Sequence, residues 1–302
     1  MTESVRLRLP ATSANLGPGF DTLALALKLH LEIEVTAAEE FRIEARGRNA
    51  DVCSATKDNL LIDTYELLLR HHGRAVVPLR IRMKNGIPLG MGCGSSAAVR
   101  LGAAALAAHF GGLGWDGERI LAEAWRLEGH PDNAAACWLG GFVASATEGE
   151  RVQAVSFAPP AKWRAVLAMP EKPLATTASR TVLPGAWPRR DVVENLQRVA
   201  LMTAAMARAR GDLVANAMRD RLHQPYRAEV CPLLDLLLPL AGQGGILGAA
   251  LSGAGPAVLL LVESTEAAEK AQERVQETVA NAGPVETLIC DLESEPALVQ
   301  VA

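Results

Sequence analysis

The stretch Asn85-Gly-Ile-Pro-Leu-Gly-Met-Gly-Cys-Gly-Ser-Ser-Ala-Ala98 constrains this chain more than any other part of it. Gly90, Gly92 and Gly94 stand at alternate positions, which removes Cβ atoms where a backbone must approach something closely. An alanine-rich run with helical spacing follows at once and opens on Ser95 and Ser96. The first N–H groups of a helix have no partner within it, and the dipole places positive potential there. Such a start is an anion site with phosphate as its usual guest. The two hydroxyls add donors to phosphate oxygens and a hard oxygen ligand for Mg²⁺. A plain strand-to-helix turn with Ser95 as N-cap is the competing reading. Three glycines and two serines together favour phosphate.

Three familiar phosphate or nucleotide folds do not fit. A P-loop needs Gly-Lys-Ser/Thr, and no lysine occurs between Lys84 and Lys162. Gly92-Cys-Gly94-Ser-Ser-Ala97 matches the dinucleotide pattern formally. However, the strand before it ends near Lys84, and no acidic residue closes a second strand at the required distance. The protein-kinase set of a catalytic-loop His-Arg-Asp and an Asp-Phe-Gly is missing.

Composition narrows the class. With 302 residues, 49% hydrophobic and 21% charged, the chain has material for two packed domains or one large one, and is too apolar for disorder. The net charge is −4, and the 24 Arg and 6 Lys are scattered, with no run beyond Arg189-Arg190. That argues against a nucleic-acid or anionic-membrane partner. Cys53, Cys93, Cys137, Cys231 and Cys290 are odd in number and widely spaced, which fits reduced thiols rather than a disulfide framework or structural zinc site. Met1-Thr2-Glu3-Ser4 carries neither the basic nor the apolar region of a secretory signal, and the longest apolar stretch, Ile246 to Val262, is interrupted by Gly253, Gly255 and Pro256. A cytoplasmic protein is expected.

Alternation at Val5–Leu9, Leu29–Val35 and Leu79–Lys84 predicts half-buried strands. Asp58 is expected to cap a helix running through Leu68 to Gly73, and further helices are expected from Ser95 to Phe110 and from Asp116 to Glu128. Strands are expected at Gly141–Ala146 and Val152–Phe157. Ala158-Pro159-Pro160 is the best boundary signal, which divides the chain into 1–158 and 159–302. The second part reads as a strand at Trp163–Met169, helices at Asp191–Arg210 and Gly211–Leu222, a strand at Ala257–Val262, a helix at Ser264–Ala282 and a strand at Val285–Cys290. This irregular alternation suggests an α+β fold rather than a doubly wound parallel sheet.

Three segments in this order resemble the GHMP kinases: Leu9-Pro-Ala-Thr-Ser-Ala-Asn-Leu-Gly-Pro-Gly-Phe-Asp21, the glycine loop, and Leu251-Ser-Gly-Ala-Gly-Pro256. Glu128-Gly-His-Pro-Asp-Asn133, Ser179-Arg-Thr-Val-Leu-Pro184 and Leu222-His-Gln-Pro-Tyr-Arg227 are similar in style to the homoserine kinase branch. The resemblance spans essentially the whole chain. It implies an N-terminal domain like ribosomal protein S5 domain 2 and a C-terminal ferredoxin-like α/β sandwich. It also implies use of ATP and Mg²⁺, L-homoserine as substrate, a role in threonine synthesis, and a homodimer. Another small-molecule kinase of the same family, or a non-catalytic nucleotide-binding regulator, are the alternatives.

The resemblance further implies site residues. ATP would lie on Pro88, Leu89, Gly90, Met91, Gly92, Cys93, Gly94, Ser95, Ser96, Ala97 and Ala98, with Met91 and Cys93 departing from the family's usual residues. Mg²⁺ would be held by Ser96 and Glu128; an acid at a helix C-terminus is otherwise a mild misfit with the dipole. His130, Asp132 and Asn133 would face the substrate, and Asn133, an amide, cannot serve as a general base. The tripeptide His130-Pro131-Asp132 also occurs in J-domains, but no basic helix precedes it here. Asp21 is the remaining candidate acid, for the ammonium or the hydroxyl. Arg180 and Arg227 would grip the α-carboxylate as guanidinium forks, where surface ion pairs are the bland alternative. Asn15, Thr176 and Gly253 complete the set.

Overall fold

Arg6 and Arg8 alternate with buried Val5, Leu7 and Leu9, and this period of two makes the first strand. The structure, a computed structural model, describes residues 4–301, with the side chains of Thr176 and Thr177 left out. Strand β1 (Ser4–Asn15) pairs antiparallel with β2 (Gly19–Ala37). Leu7 faces Ile33 and Leu9 faces Leu31, but the register slips between Pro10 and Ala11. Beyond the slip, residues 11–15 are buried on both faces, and the strand end is carried into the molecule's interior.

The first sheet also takes β3 (Arg42–Gly47), β4 (Leu79–Asn85), β5 (Phe142–Glu148) and β6 (Arg151–Phe157). A second, antiparallel sheet is built from β7 (Arg164–Pro170), β8 (Ile246–Leu251), β9 (Val258–Val262) and β10 (Val285–Asp291), in the order β10-β7-β9-β8. The last strand, β11 (Leu298–Val301), returns to the first sheet and pairs with β1. A break at Ala158 therefore separates the two sheets in sequence, but the chain's end crosses back.

The second sheet is covered on both faces, which explains its near-continuous apolar strands. Ala165, Leu167 and Met169 of β7 join the first core with Met202 and Met206, while Val166 and Ala168 join a separate core with Ala271 and Val275. The first core runs from β1 through the glycine-loop helix into this sheet, so the two halves share apolar packing.

The expected helices at Ser95–Phe110 and Gly117–Glu128 are present, the second capped by the Asp116 side chain. Several boundaries differ: the helix expected at Asp191–Arg210 spans Arg189–Ala207, and the one expected at Ser264–Ala282 spans Thr265–Thr278. Asn59, not Asp58, caps the helix Leu60–His71, because its extended backbone lets its side chain accept from Leu61 and Ile62. Asp58 is turned into the left-handed region, with φ 53°. The helix from Gly211 stops at Ala217; Asp220 then accepts the N–H groups of Leu222, His223 and Gln224 and starts the short turn Gln224–Arg227. All five cysteines are free, and among the described residues no helix is long and apolar enough to cross a membrane.

Candidate active site

Gly90, Gly92 and Gly94 all take positive φ, at 68°, 75° and 69°. What they approach closely is the protein itself. A Cβ on Gly92 would lie 2.1 Å from the Ser252 carbonyl oxygen, and one on Gly94 would lie 1.9 Å from Thr12 Oγ1. The loop is fastened on both sides: Thr12 N–H donates to the Cys93 carbonyl (3.1 Å), and Ser252 Oγ donates to the Gly92 carbonyl (2.8 Å). Leu174 N–H also donates to the Gly90 carbonyl at 3.1 Å. The glycines thus let the loop pass between β1 and the Ser252–Pro256 turn, and the helix at Ser95 begins with no side-chain cap.

That uncapped end opens into a cavity of about 270 Å³ lined by Gly90, Gly92, Cys93, Gly94, Ser95 and Ser96. Pro88, Leu89 and Met91 face a second cavity of about 650 Å³ on the loop's other side, with Arg48, Asn49, Val279 and Val285. Ala97 and Ala98 have their side chains wholly in the core, and Ala98 N–H already bonds to Gly94, so neither offers a side chain to a ligand. Cys93 is buried, which pushes its thiol up to about 12 and leaves it a packing residue.

Across the first cavity, Gly129 in the left-handed conformation ends the helix that carries Glu128. Ser96 Oγ donates to Glu128 Oε2 at 3.1 Å, and Arg100 Nη1 donates to Oε1 at 2.7 Å. Arg100 offsets the unfavourable placement of a carboxylate at a helix C-terminus. His130 Nδ1 donates to Asp132 Oδ1 at 2.9 Å, and Asn133 N–H donates to the same oxygen. Burial works against the imidazolium of His130, but the hydrogen bond and charge of Asp132, with Asp21 beyond, outweigh it and raise its pKa. Asn133 Oδ1 accepts from Thr12 Oγ1 at 2.6 Å.

The third wall carries opposite charges. β1 ends at Asn15, which takes φ 69°; its Nδ2 donates to the Gly253 carbonyl and its Oδ1 accepts the Asp21 N–H. Arg180, on the short helix Thr176–Thr181, donates to both oxygens of Asp21 at 3.1 and 2.5 Å. Arg227 is 1% exposed and donates to the carbonyls of Ser179 and Gly253 and to His223 Nδ1, each at 3.2 Å. Burial, then the charge of Arg180, push its pKa down to about 10, so it remains a cation at neutral pH.

The structure therefore gathers Asn15, Asp21, Ser96, Glu128, His130, Asp132, Asn133, Arg180, Arg227 and Gly253 around one cavity. The Thr176 side chain lies outside the described residues. One ligand atom each of Asp21, His130 and Asp132 fall within 4.8 Å of one another, but each group already has a partner. Thr12, Arg100 and His223 enter the site without having been singled out by sequence. Arg100 was within reach, since it lies four residues after Ser96 and shares its helix face. Thr12 meets Asn133, and His223 meets Gly17 and Phe20, across separations in sequence that no spacing rule describes.

Comparison with known proteins follows the same lines. Residues 59–141 match the GHMP kinases N terminal domain and residues 202–281 the GHMP kinases C terminal domain. The chain is 43% identical to a homoserine kinase of Solibacter usitatus over 85% of its length and 84% of that protein's. It is 36% identical to one from Desulfitobacterium hafniense over 98% of its length and 99% of the other's. A solved structure described as a putative homoserine kinase from Listeria monocytogenes superposes with a TM-score of 0.78 at 29% identity, covering 98% of this chain and 99% of that one. The crystal structure of homoserine kinase from Cytophaga hutchinsonii gives 0.83 at 24% identity, with 99% and 98% covered, and speaks to the fold alone. With its glycine loop, its two matched domains and relatives of this identity over most of its length, the chain belongs to the homoserine kinase family of the GHMP kinases.

Proposed function

We propose that this protein transfers the γ-phosphoryl group of ATP to the side-chain hydroxyl of L-homoserine, giving O-phospho-L-homoserine for threonine synthesis. The observation that carries the reading is the composition of one cavity. An uncapped helix N-terminus faces, across about 270 Å³, an Asp21 carboxylate and two arginines that match the charges of an amino acid. The polyphosphate would lie along the glycine loop with the base in the cavity beyond Pro88, Leu89 and Met91.

Ser96 and Glu128 fit Mg²⁺, a hard cation that keeps several waters and takes few protein oxygens. Bound there it would neutralise charge on the phosphates. Arg180 and Arg227 would hold the substrate carboxylate, and Asp21, fixed by Asn15, the ammonium. His130 and Asn133 would bind the hydroxyl.

Every carboxylate around the cavity is already engaged: Asp21 by Arg180, Glu128 by Arg100 and Ser96, and Asp132 by His130. Asn133 is an amide. No described side chain is set as a strong base, so positioning and charge neutralisation carry the transfer, as phosphoryl chemistry permits. The hydroxyl oxygen bonds to phosphorus as the bond to ADP breaks, and the hydroxyl proton leaves to a phosphate oxygen or solvent.

A division at residue 158, with β11 returned to the first part, and a cytoplasmic homodimer belong to the same reading. A coupled ADP-release assay over L-homoserine, mevalonate, galactose and L-serine tests it: turnover should be confined to L-homoserine. Preference for any other acceptor would overturn the substrate assignment.

A further inference from the structure

Phe20 is partly buried on the cationic wall and lines neither of the cavities beside the glycine loop. Even so, three charged or polar rings and forks converge on it. The guanidinium carbons of Arg180 and Arg227 lie over its ring, 5.4 and 5.3 Å from the centroid, and the His223 imidazole stacks on it at 5.3 Å and 26°. The ring is held from both sides in sequence. Pro18 carbonyl accepts from Asn195 Nδ2 at 2.6 Å, and Asp21, with φ 52°, donates its N–H to Asn15.

His223 extends the arrangement. It stacks on Phe20 and its Nε2–H donates to the Gly17 carbonyl at 2.7 Å, so Nδ1 keeps its lone pair and accepts from Arg227. Two arginines side by side repel one another, and only Arg180 has a carboxylate partner, Asp21. An aromatic ring presents negative potential on its face and attracts a cation within about 6 Å of its centroid. A single ring shared by two guanidinium groups supplies attraction to each where the charges would otherwise splay apart.

We propose that Phe20 is a positioning residue for substrate choice: its ring holds Arg180 and Arg227 together, both aimed at one carboxylate. The proposal rests on the reading of those arginines as the carboxylate-binding pair.

The test replaces Phe20 by Leu, by Tyr, and by 3,4,5-trifluorophenylalanine, which keeps the ring's shape and weakens its negative face. KM and kcat are measured for L-homoserine, for the carboxylate-free analogue 3-aminopropan-1-ol, and for ATP. Phe20→Leu should raise the KM for homoserine about tenfold, equivalent to about 1.4 kcal/mol, with kcat within about threefold and the KM for ATP unchanged. Phe20→Tyr should restore the parent value. The trifluorinated enzyme should fall between parent and Leu, and preference for homoserine over aminopropanol should shrink in the same order. A trifluorinated enzyme indistinguishable from parent would overturn the proposal, since ring shape alone would then suffice, and this arm holds even if Phe20→Leu folds poorly. Arg180→Gln separates the two readings. If it retains the parent's preference for homoserine, the carboxylate reading fails and takes this proposal with it. If it loses the preference while the trifluorinated enzyme keeps it, only the role of Phe20 fails.

Discussion

Arg180 meets Asp21 in two parallel hydrogen bonds, of 3.1 and 2.5 Å, that join the start of β2 to the short helix Thr176–Thr181. Both side chains are about a third exposed, 36% and 31%. Ion pairs so open to water contribute about 0–1 kcal/mol. On the proposed reading, a zwitterionic substrate would bring a carboxylate for Arg180 and an ammonium for Asp21, and would replace both halves of the pair at little cost. Arg180 and Asp21 would then be the two recognition charges of the site, held here against each other.

Asp21→Asn should show this. The amide keeps the shape and loses the charge that faces the ammonium, so the KM for homoserine should rise on the order of 10- to 100-fold, the equivalent of a charge-assisted hydrogen bond of about 1.5–3 kcal/mol. The melting temperature should stay within a few degrees, because the pair is weak. Steady-state kinetics with ATP held saturating gives the answer, and an unchanged homoserine KM would remove Asp21 from the substrate site.

Glu128→Gln tests the proposed metal pair. Loss of the charge beside Ser96 should lower kcat by about 10²–10³, the scale of removing one transition-state charge stabiliser, while homoserine KM changes little. Binding of Mn²⁺, followed by electron paramagnetic resonance, should weaken in parallel. Near-normal turnover at ordinary Mg²⁺ would show that Ser96 and Glu128 form a structural contact only.

Most of the candidate site residues came from the resemblance to the GHMP kinases; what local signals made legible was the glycine loop and the helix ends. Ser95, Ser96 and Glu128 sit at helix ends, whose positions follow from spacing and capping, and the structure ends both helices where the pattern does. The strands of the first sheet announced themselves wherever one face is wet, as at Arg6 and Arg8. β8, buried along its whole length, has no alternation to read, and β11 is exposed throughout. The purpose of Gly92 and Gly94 was only half legible: sequence says that something comes close, but that it is Ser252 and Thr12 depends on contacts far apart in the chain. The same holds for Arg227, whose burial under Phe20 and against two carbonyls no periodicity encodes.

Gly94→Ala should accordingly damage the fold before it touches the ligand. Its Cβ would meet Thr12 Oγ1 at 1.9 Å, and the backbone sits at φ 69°. Left-handed alanine costs about 1–2 kcal/mol and overpacking about 1–3 kcal/mol. Thermal melts without nucleotide should show the protein destabilised by several degrees. A variant melting like the parent would mean that the loop is looser than its contacts with β1 imply.

The raised pKa of His130 makes stability depend on pH in a stated direction. Burial opposes the imidazolium, but the hydrogen bond and charge of Asp132, with Asp21, outweigh it and Arg180, so the folded value exceeds 6.5. The stabilisation is complete below the unfolded value and disappears as pH rises through the folded one. The melting-temperature difference between the parent and His130→Asn should be larger at pH 6 than at pH 9. Half-buried His30 and buried His223, both shifted downward chiefly by burial, are present in both proteins, and their contribution is common to the two melts. A gap that is constant or grows with pH would contradict the assignment.

On the proposed reading Arg227 both holds the Gly253 turn and grips the carboxylate, and Arg227→Leu does not separate the two. Arg227→Leu orphans His223 Nδ1 and takes a donor from the Ser179 and Gly253 carbonyls, the second of which keeps Asn15 Nδ2. An unsatisfied buried polar group costs about 1–3 kcal/mol, so this variant should lose several degrees of melting temperature or fail to fold. Arg227→Lys is the cleaner probe. It keeps a cation but replaces a planar group, whose Nε and Nη1 hold these acceptors while Nη2 is left to face a carboxylate, by a single ammonium that cannot serve both at once. The lysine enzyme should fold, keep its KM for ATP within about twofold, and show a homoserine KM raised on the order of tenfold. 3-Aminopropan-1-ol, which has no carboxylate, should lose far less, so the preference between the two acceptors should narrow. If both acceptors weaken equally, Arg227 holds the loop at Gly253 and not the substrate, and recognition of the carboxylate falls to Arg180 alone.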